Sequence, residues 1–446
     1  MDTVTKLKAA IVEWQERDLP KIYPRQSSIQ LELPHINDII GVRRCGKTYF
    51  MFQQIAELIK NGIPKSQILY LNIDDDRLQP LNGDELDRLL DTFRELYPVR
   101  DDDRLYFFLD EIQNFPGWEK WIKGVYDRRT NLKIVISGSN ASLLSEDGAN
   151  RLTGRHLTIR MYPFGFRECI EHHEIPIDPK TLPYSEKRFE IKRLFNEYLL
   201  RGGFPEVILY PSADATVLLQ SYFDDIIFRD IVTRHGVRNP ALFKDLAIFC
   251  ISNVAKPHTY NSLRKLFSEF ETISTDAIIR YLSYLEDAFL LFSIRHYDDS
   301  LKKKMNKPRK LYCIDPGMMN AVSFRFSEDL GRLFENVVFI QLQRTGHEIY
   351  YWQDERGLEV DFVLKSGLKS FELIQVSMDI SDPQTRDRKM KGLLSAMSHF
   401  GVTEGLILTS DLFDEETVSG KTIHYRPLWY WLIAQEKAGG VPSPDE

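Results

Sequence analysis

Cysteine is scarce in this chain. Its four cysteines, Cys45, Cys169, Cys250 and Cys313, lie far apart in 446 residues, at no spacing that suits a disulfide framework or a metal knuckle. That excludes a cystine-stapled scaffold and points to a reducing compartment, so a cytoplasmic location is expected. Long apolar runs are missing too: none approaches the ~18 consecutive apolar residues of a membrane helix. The opening stretch, Met1 to Arg17, is charged and amphipathic without an apolar signal core, so no membrane partner is expected. Nor is there an excess of positive charge. With a net charge of −7 and a pI near 5.9, the field of the whole molecule opposes nucleic acid, and any DNA contact must come from a local basic patch. No internal repeat is visible. What remains is an ordinary globular composition, long enough for two to four cored domains.

Within that composition one octapeptide stands out: Gly41-Val42-Arg43-Arg44-Cys45-Gly46-Lys47-Thr48. Two glycines and a Lys-Thr pair at this spacing form a phosphate loop, provided that a strand enters and a helix leaves. The apolar Ile36–Ile40 reads as that strand and Tyr49–Lys60 as that helix. Glycines let successive backbone N–H groups turn onto a phosphate, and the helix N-terminus adds its partial positive charge. Lys47 is then expected on the β- and γ-phosphates of ATP and the Thr48 hydroxyl on Mg²⁺. Arg43 and Arg44 add positive potential or pair with a nearby acid.

The matching acidic half is Leu105-Tyr106-Phe107-Phe108-Leu109-Asp110-Glu111. A buried apolar strand delivers Asp110 at its C-terminal end for the metal, and Glu111 is placed to polarise an attacking water. A third strand, Lys133 to Ile136, ends in Ser137-Gly138-Ser139-Asn140, where Ser139 or Asn140 is a candidate γ-phosphate sensor. Arg155 is a candidate for stabilising transition-state charge. The strand candidates Ile36–Ile40, Ile68–Ile73, Leu105–Leu109, Leu132–Ile136 and Leu157–Met161 alternate with helices, as in a parallel sheet covered on both faces.

These segments resemble the bacterial and archaeal AAA-type predicted ATPases with a C-terminal domain of unknown function. The likeness rests on Gly41–Thr48, Leu109-Asp110-Glu111, Ser137-Gly138-Ser139-Asn140, Leu152-Thr153-Gly154-Arg155 and Gly202-Gly203-Phe204-Pro205-Glu206. It continues through Tyr281-Leu282-Ser283-Tyr284-Leu285-Glu286, Tyr312-Cys313-Ile314-Asp315-Pro316-Gly317, Gly331-Arg332-Leu333-Phe334-Glu335-Asn336 and Glu359-Val360-Asp361-Phe362. The resemblance implies an α/β multidomain chain: a P-loop NTPase core of the AAA/ASCE type, a winged-helix middle and a restriction-endonuclease-like α/β end. The expected divisions are 1–35 (leader helix and linker), 36–161 (ATPase core), 162–210 (helical lid), 211–315 (winged-helix-containing helical domain), 316–432 (nuclease-like domain) and 433–446 (flexible tail).

Phe243–Asn253, Asn261–Phe267 and Ser274–Ala288 read as the three helices of the winged helix. Phe289–His296 and Arg309–Ile314 form its wing around a lysine-rich tip running from Lys302 to Lys310. Arg264, Lys265, Ser274, Thr275 and Arg280 are the candidate DNA contacts, and Lys302, Lys303, Lys304 and Lys307 would favour phosphate. Glu269, Glu271 and Asp276 flank the reading helix and favour a protein partner instead.

In the last domain a metal nuclease needs a helix acid, a strand acid and a carboxylate-x-lysine pair on the next strand. Glu335, Asp361 and Glu359 supply acids, but the next strand puts Gln375 and Ser377 in the pair's positions. Lys365 and Lys369 are the nearby lysines. The expected activity is an Mg²⁺-dependent ATPase whose nucleotide state controls a winged helix and a degenerate nuclease-like module on duplex DNA. The alternatives are a nucleotide-gated protein-interaction switch and an ATP-regulated metal nuclease. The oligomeric state is not legible.

Overall fold

The computed structural model describes residues 3–78, 83–100, 102–128, 131–140, 154–269, 271–300, 307–323, 330–367 and 370–435. Lys302, Lys303, Lys304 and Lys369, and most of the tail, lie outside them. The chain divides into two compact units, Met1–Tyr162 and Pro163–Glu446.

In the first unit, five strands form one parallel sheet: β1 (Ile36–Ile40), β2 (Ile68–Asn72), β3 (Leu105–Asp110), β4 (Leu132–Gly138) and β5 (His156–Arg160). Their order is β2-β3-β4-β1-β5, which inserts β4 between the strand before the glycine loop and the strand carrying the acids. β1 and β3 are buried along their whole length, as strands covered on both faces are; β3 is apolar up to Asp110, whereas β1 buries Asn37 and Asp38 among its isoleucines. The helix Thr3–Glu16 is no free leader. Leu7, Ile11 and Trp14 are buried, and the Trp14 indole donates to the Ile68 carbonyl at 2.8 Å while packing on Phe52 and Tyr70.

The second unit carries a nine-stranded mixed sheet among the described residues. Its strands are β6 (Pro257–His258), β7 (Leu291–His296), β8 (Arg309–Cys313), β9 (Glu348–Gln353), β10 (Glu359–Ser366), β11 (Ser370–Val376), β12 (Glu404–Thr409), β13 (Asp414–Val418) and β14 (Lys421–Pro427). They run β13-β14-β12-β11-β10-β9-β7-β8-β6. The β7–β8 hairpin, expected as the tip of a separate domain, joins this sheet through a parallel pairing of β7 with β9. The expected boundary at 315/316 therefore falls inside one continuous structure. The hairpin β13–β14 follows the last strand read from the sequence and opens on the acidic Asp414-Glu415-Glu416. Ser419 and Gly420, both at positive φ, turn it in two residues.

Of the segment 162–210, expected as a lid, residues 163–210 belong to the second unit and contribute to its core. Phe166 stacks edge-on against Phe195, which meets Phe334 of the helix Leu330–Arg344 in the same way. Apolar surface of this size is buried where partners exist rather than left as a free flap. The closing helix Leu428–Ala434 also runs past the expected boundary at 433, and Arg167 donates to the carbonyls of Ile433 and Gln435.

Two motifs lock this unit together. Asp315 caps the helix Pro316–Val322 by accepting from Met318 N at 3.0 Å, and its other oxygen accepts from Gly203 N at 2.7 Å. The approach is so close that a Cβ on Gly202 would lie 1.9 Å from Asp315, and one on Gly317 would lie 2.2 Å from the Arg201 carbonyl. The Asn336 amide pairs with both backbone groups of Cys313. Asp315→Ala leaves two buried N–H groups unpaired and removes a cap, so the second unit should lose about 3 kcal/mol. Urea unfolding of the full chain reads this as a lower midpoint for that unit.

Candidate functional site

In the first unit the glycine loop leaves β1 and turns into the helix Lys47–Lys60. Arg44 and Gly46 have left-handed backbones (φ 68 and 99), which tip the intervening N–H groups toward one concavity. Gly41 is needed for a different reason: a Cβ there would lie 2.2 Å from the Met161 carbonyl. Val42 and Cys45 are fully buried beneath the loop, and burial pushes the Cys45 thiol up, so it is packing rather than a reactive thiolate. Arg43 is half-buried and Arg44 exposed. The loop is braced from behind by Arg25, whose guanidinium donates to the Cys45 carbonyl at 2.8 Å and the Tyr162 carbonyl at 2.6 Å. Arg25 lies in the stretch read as a linker, where a lone arginine carries no sequence signal.

Lys47 is buried, with its ammonium 3.0 and 3.2 Å from the Gly41 and Val42 carbonyls and 3.9 Å from Glu111. Thr48 donates to Asp110 Oδ2 at 2.6 Å. Asp110 also accepts from the hydroxyls of Tyr70, at 2.9 Å, and Ser137. Burial and the neighbouring Glu111 raise the Asp110 carboxyl, and the hydroxyl donors offset only part of that rise. The hydroxyls of Thr48, Tyr70 and Ser137 bring no positive charge to Asp110. A hydroxyl and a carboxylate in contact at the mouth of an N–H-lined loop also have the oxygen chemistry that Mg²⁺ selects. The residues present fit a magnesium nucleotide.

Glu111 follows Asp110 in a left-handed conformation (φ 53), uncommon for a residue with a side chain. Its N–H donates to the Ser137 hydroxyl at 3.0 Å, and its carboxylate accepts from the Gln113 amide, which also reaches Ser139 at 3.4 Å. Ser139 and Asn140 are buried and leave the sheet beside Gly41, because Gly138 lies opposite Ile40.

Arg155 does not join this group. Its carbonyl pairs with Ile36 N at the start of β1, and its guanidinium lies 3.5 Å from Asp127. All five strands are parallel and the loop sits at their C-terminal ends, so Arg155, just before β5, is at the opposite, N-terminal end of the strands. Arg155, expected as a candidate for stabilising transition-state charge, thus lies away from the glycine loop of its own chain.

In the second unit, Glu335, Glu359, Asp361 and Gln375 lie around two lysines. The Lys310 ammonium, on β8 and 2% exposed, lies 3.0 Å from Glu335, 2.7 Å from Glu359 and 3.7 Å from Asp361. Lys389, on the helix Pro383–Phe400, reaches Asp361 at 2.9 Å. Gln375 is turned to the backbone: its oxygen accepts from Asp361 N and its amide donates to the Glu359 carbonyl. Ser377 donates away, to the Asp379 carbonyl. Of the lysines expected nearby, Lys365 instead faces Glu348 at 3.9 Å.

Of the candidate DNA contacts, Arg280 and Lys265 are exposed and Arg264 half-buried. Ser274 spends its hydroxyl capping the helix Thr275–Asp287, and Thr275 donates to Asn261. Among the described residues no helix is long and apolar enough to cross a membrane.

Three family models match the chain: an AAA domain over residues 34–170, and domains of unknown function DUF8612 over 192–329 and DUF4143 over 330–431. An uncharacterized protein of Methanocaldococcus jannaschii, MJ1544, is 34% identical over 425 residues, 93% of this chain and 91% of the relative. An uncharacterized protein of Haemophilus influenzae is 29% identical over 396 residues, 88% of this chain and 94% of its own. Among solved structures, the Walker-type ATPase PABY2304 of Pyrococcus abyssi is similar at a TM-score of 0.41 and 13% identity, over 72% of this chain and 94% of its own. The Aeropyrum pernix ORC1 protein, solved in complex with DNA, gives a TM-score of 0.29 at 13% identity, over 72% and 91%.

Ser137 ties both acids to β4. Ser137→Ala should leave a buried carboxylate oxygen and the Glu111 N–H unpaired and destabilise the first unit by about 2 kcal/mol. Thermal unfolding of the full chain, compared with the parent, measures it.

Proposed function

The chain belongs to the family of AAA-type P-loop ATPases with a C-terminal DUF4143 domain, and from that premise we propose that it hydrolyses ATP and uses the cycle to act on duplex DNA. The observation that carries the reading is the contact of Thr48 with Asp110 at 2.6 Å, with Lys47 3.9 Å from Glu111. Loop hydroxyl, loop lysine and both strand acids thus meet at one point. Lys47 exchanges the Gly41 and Val42 carbonyls for β- and γ-phosphate oxygens. Thr48 and Asp110 would hold Mg²⁺, which would neutralise phosphate charge. Glu111 orients and polarises the attacking water, with Gln113 fixing which way its carboxylate faces. Ser139 or Asn140 reads the γ-phosphate from the end of β4.

The DNA half of the reading is supported by the second unit's element order. A helix (Pro240–Ser252), the short β6, two further helices (Tyr260–Phe267 and Thr275–Asp287) and the β7–β8 hairpin follow one another as in a winged helix. Arg280 and Lys265 stand exposed beside the third helix. The acidic residues around that helix, Glu269, Glu271 and Asp276, favour a second reading, in which the same surface docks a protein.

Lys47→Ala should abolish nucleotide binding, whereas Glu111→Gln should bind ATP and lose turnover by roughly two to four orders of magnitude. Equilibrium binding of a fluorescent ATP analogue and a phosphate-release assay separate the two. Wild-type turnover in Glu111→Gln removes Glu111 from its role.

Duplex DNA should stimulate turnover and bind with a salt dependence of roughly 40- to 150-fold between 50 and 200 mM, as for three or four phosphate contacts. Fluorescence anisotropy measures it. No binding at the lower salt would decide for the protein-docking reading.

A further inference from the structure

The nuclease-like half of the chain raises a question that the ATPase reading leaves open: whether its converging acids hold a divalent metal. A restriction-type site would place that metal among Glu335, Asp361 and the residue at position 375. The residues present do not fit one. Glu335 Oε1 already accepts from Lys310 at 3.0 Å and from the Tyr312 hydroxyl at 2.7 Å. Glu359 Oε1 faces Lys310 at 2.7 Å. Asp361 has Lys310 on one oxygen, and Lys389 and Val376 N on the other at 2.9 and 2.8 Å. Mg²⁺ needs ligand oxygens at about 2.1 Å in a near-octahedral shell. An ammonium contacting all three acids at once stands in that space. Gln375, which could have offered a carbonyl oxygen, already accepts from Asp361 N at 2.9 Å. Among the described residues no group of three or more metal-ligating side chains is placed to hold an ion.

We infer that Lys310 is the resident cation of this site: its ammonium holds the position of a metal, so the cluster of Glu335, Glu359 and Asp361 binds no divalent ion and cuts no nucleic acid. The ammonium is anchored from every side. Its stem belongs to β8 of the hairpin, and its head meets one acid from the helix Leu330–Arg344 and two from β10. Tyr351 of β9 lies beneath it, ring centre 5.5 Å away. The register of β10 against β9 shifts between Val360 and Val363, and that irregularity brackets Asp361. The Gln375 side chain takes up the Asp361 N–H there, so the strand accommodates the bulge without a ligand. A divalent ion bridges groups from separate elements but can be removed by a chelator. A lysine bridges the same groups through the chain itself, with one positive charge where a metal brings two. Lys389 supplies the second charge at Asp361.

The inference rests on reading this half as nuclease-like only for the name of the site. Its test uses the full chain without nucleotide, so failure of the ATPase or DNA reading leaves it untouched. Mn²⁺ is titrated and the free ion followed by electron paramagnetic resonance, with melting temperature recorded in Mn²⁺ and in EDTA. Wild type should bind no more Mn²⁺ at sub-millimolar concentration than Asp361→Asn does, show no larger difference in melting temperature between Mn²⁺ and EDTA than that variant, and leave plasmid DNA uncut. Lys310→Met, which empties the centre but keeps the stem, should gain one Mn²⁺ per chain, lost again when Asp361→Asn is added. Lys310→Arg, which keeps a cation there, should gain none. One Mn²⁺ bound by wild type and lost in Asp361→Asn would overturn the inference. So would a Lys310→Met protein with a native circular dichroism spectrum that takes up no ion. If Lys310→Met does not fold, the wild-type titration decides by itself.

Discussion

A carboxylate removed from water must find its donors inside the protein, and this chain meets that constraint at three aspartates. Asp110, Asp315 and Asp361 are each almost wholly buried. Each sits where separate stretches of sequence come together: the glycine loop with β3 and β4, the Gly202-Gly203 turn with the helix Pro316–Val322, and β8 with β10 and two helices. An unpaired buried charge is costly enough to force the group to neutralise or the structure to rearrange. The donors around each aspartate therefore dictate which elements must be neighbours.

The kind of donor separates the three. Asp315 is held by backbone N–H groups, yet burial still raises its carboxyl to about 6, well above its ordinary value. Asp110 is held by the hydroxyls of Thr48, Tyr70 and Ser137, which orient its oxygens without cancelling its charge. Burial also drives the Asp361 carboxyl up, but Lys389 and Lys310 outweigh it and hold the group below its ordinary range. Neutral donors leave an anion that still attracts a cation from solution. Ammonium donors leave little to attract one. Two buried acid sites in one chain thus differ in the charge their neighbours bring to them.

Legibility in the sequence follows from locality. The glycine loop was readable because its eight residues act together and the chemistry is encoded in their spacing. β3 was readable because a parallel strand buried on both faces must be apolar throughout before it delivers Asp110. The three helices before β7 declared themselves by periodicity and by the cap at Ser274. Arg155 misled because a sequence shows that an arginine precedes a strand but not which end of the sheet that strand starts from. Lys310 and Lys389 were missed for a related reason. They lie 25 residues from Glu335 and 28 from Asp361 and come from different elements, so no spacing rule on β11 could find them. Lys310 also closes a lysine-rich run that reads as a solvent-facing tip, and only the pairing of β7 with β9 turns its side chain inward.

That pairing has a genealogical consequence. Modules exchanged by recombination survive when the cut leaves each piece with its own closed edges. A break between β8 and β9 would strip β7 of its neighbour and open a row of unmatched N–H and C=O groups on both fragments. The matched domains divide at residue 329/330, between those two strands. Because one sheet spans the division, a chain cut there would expose the edge of β9 where β7 now pairs.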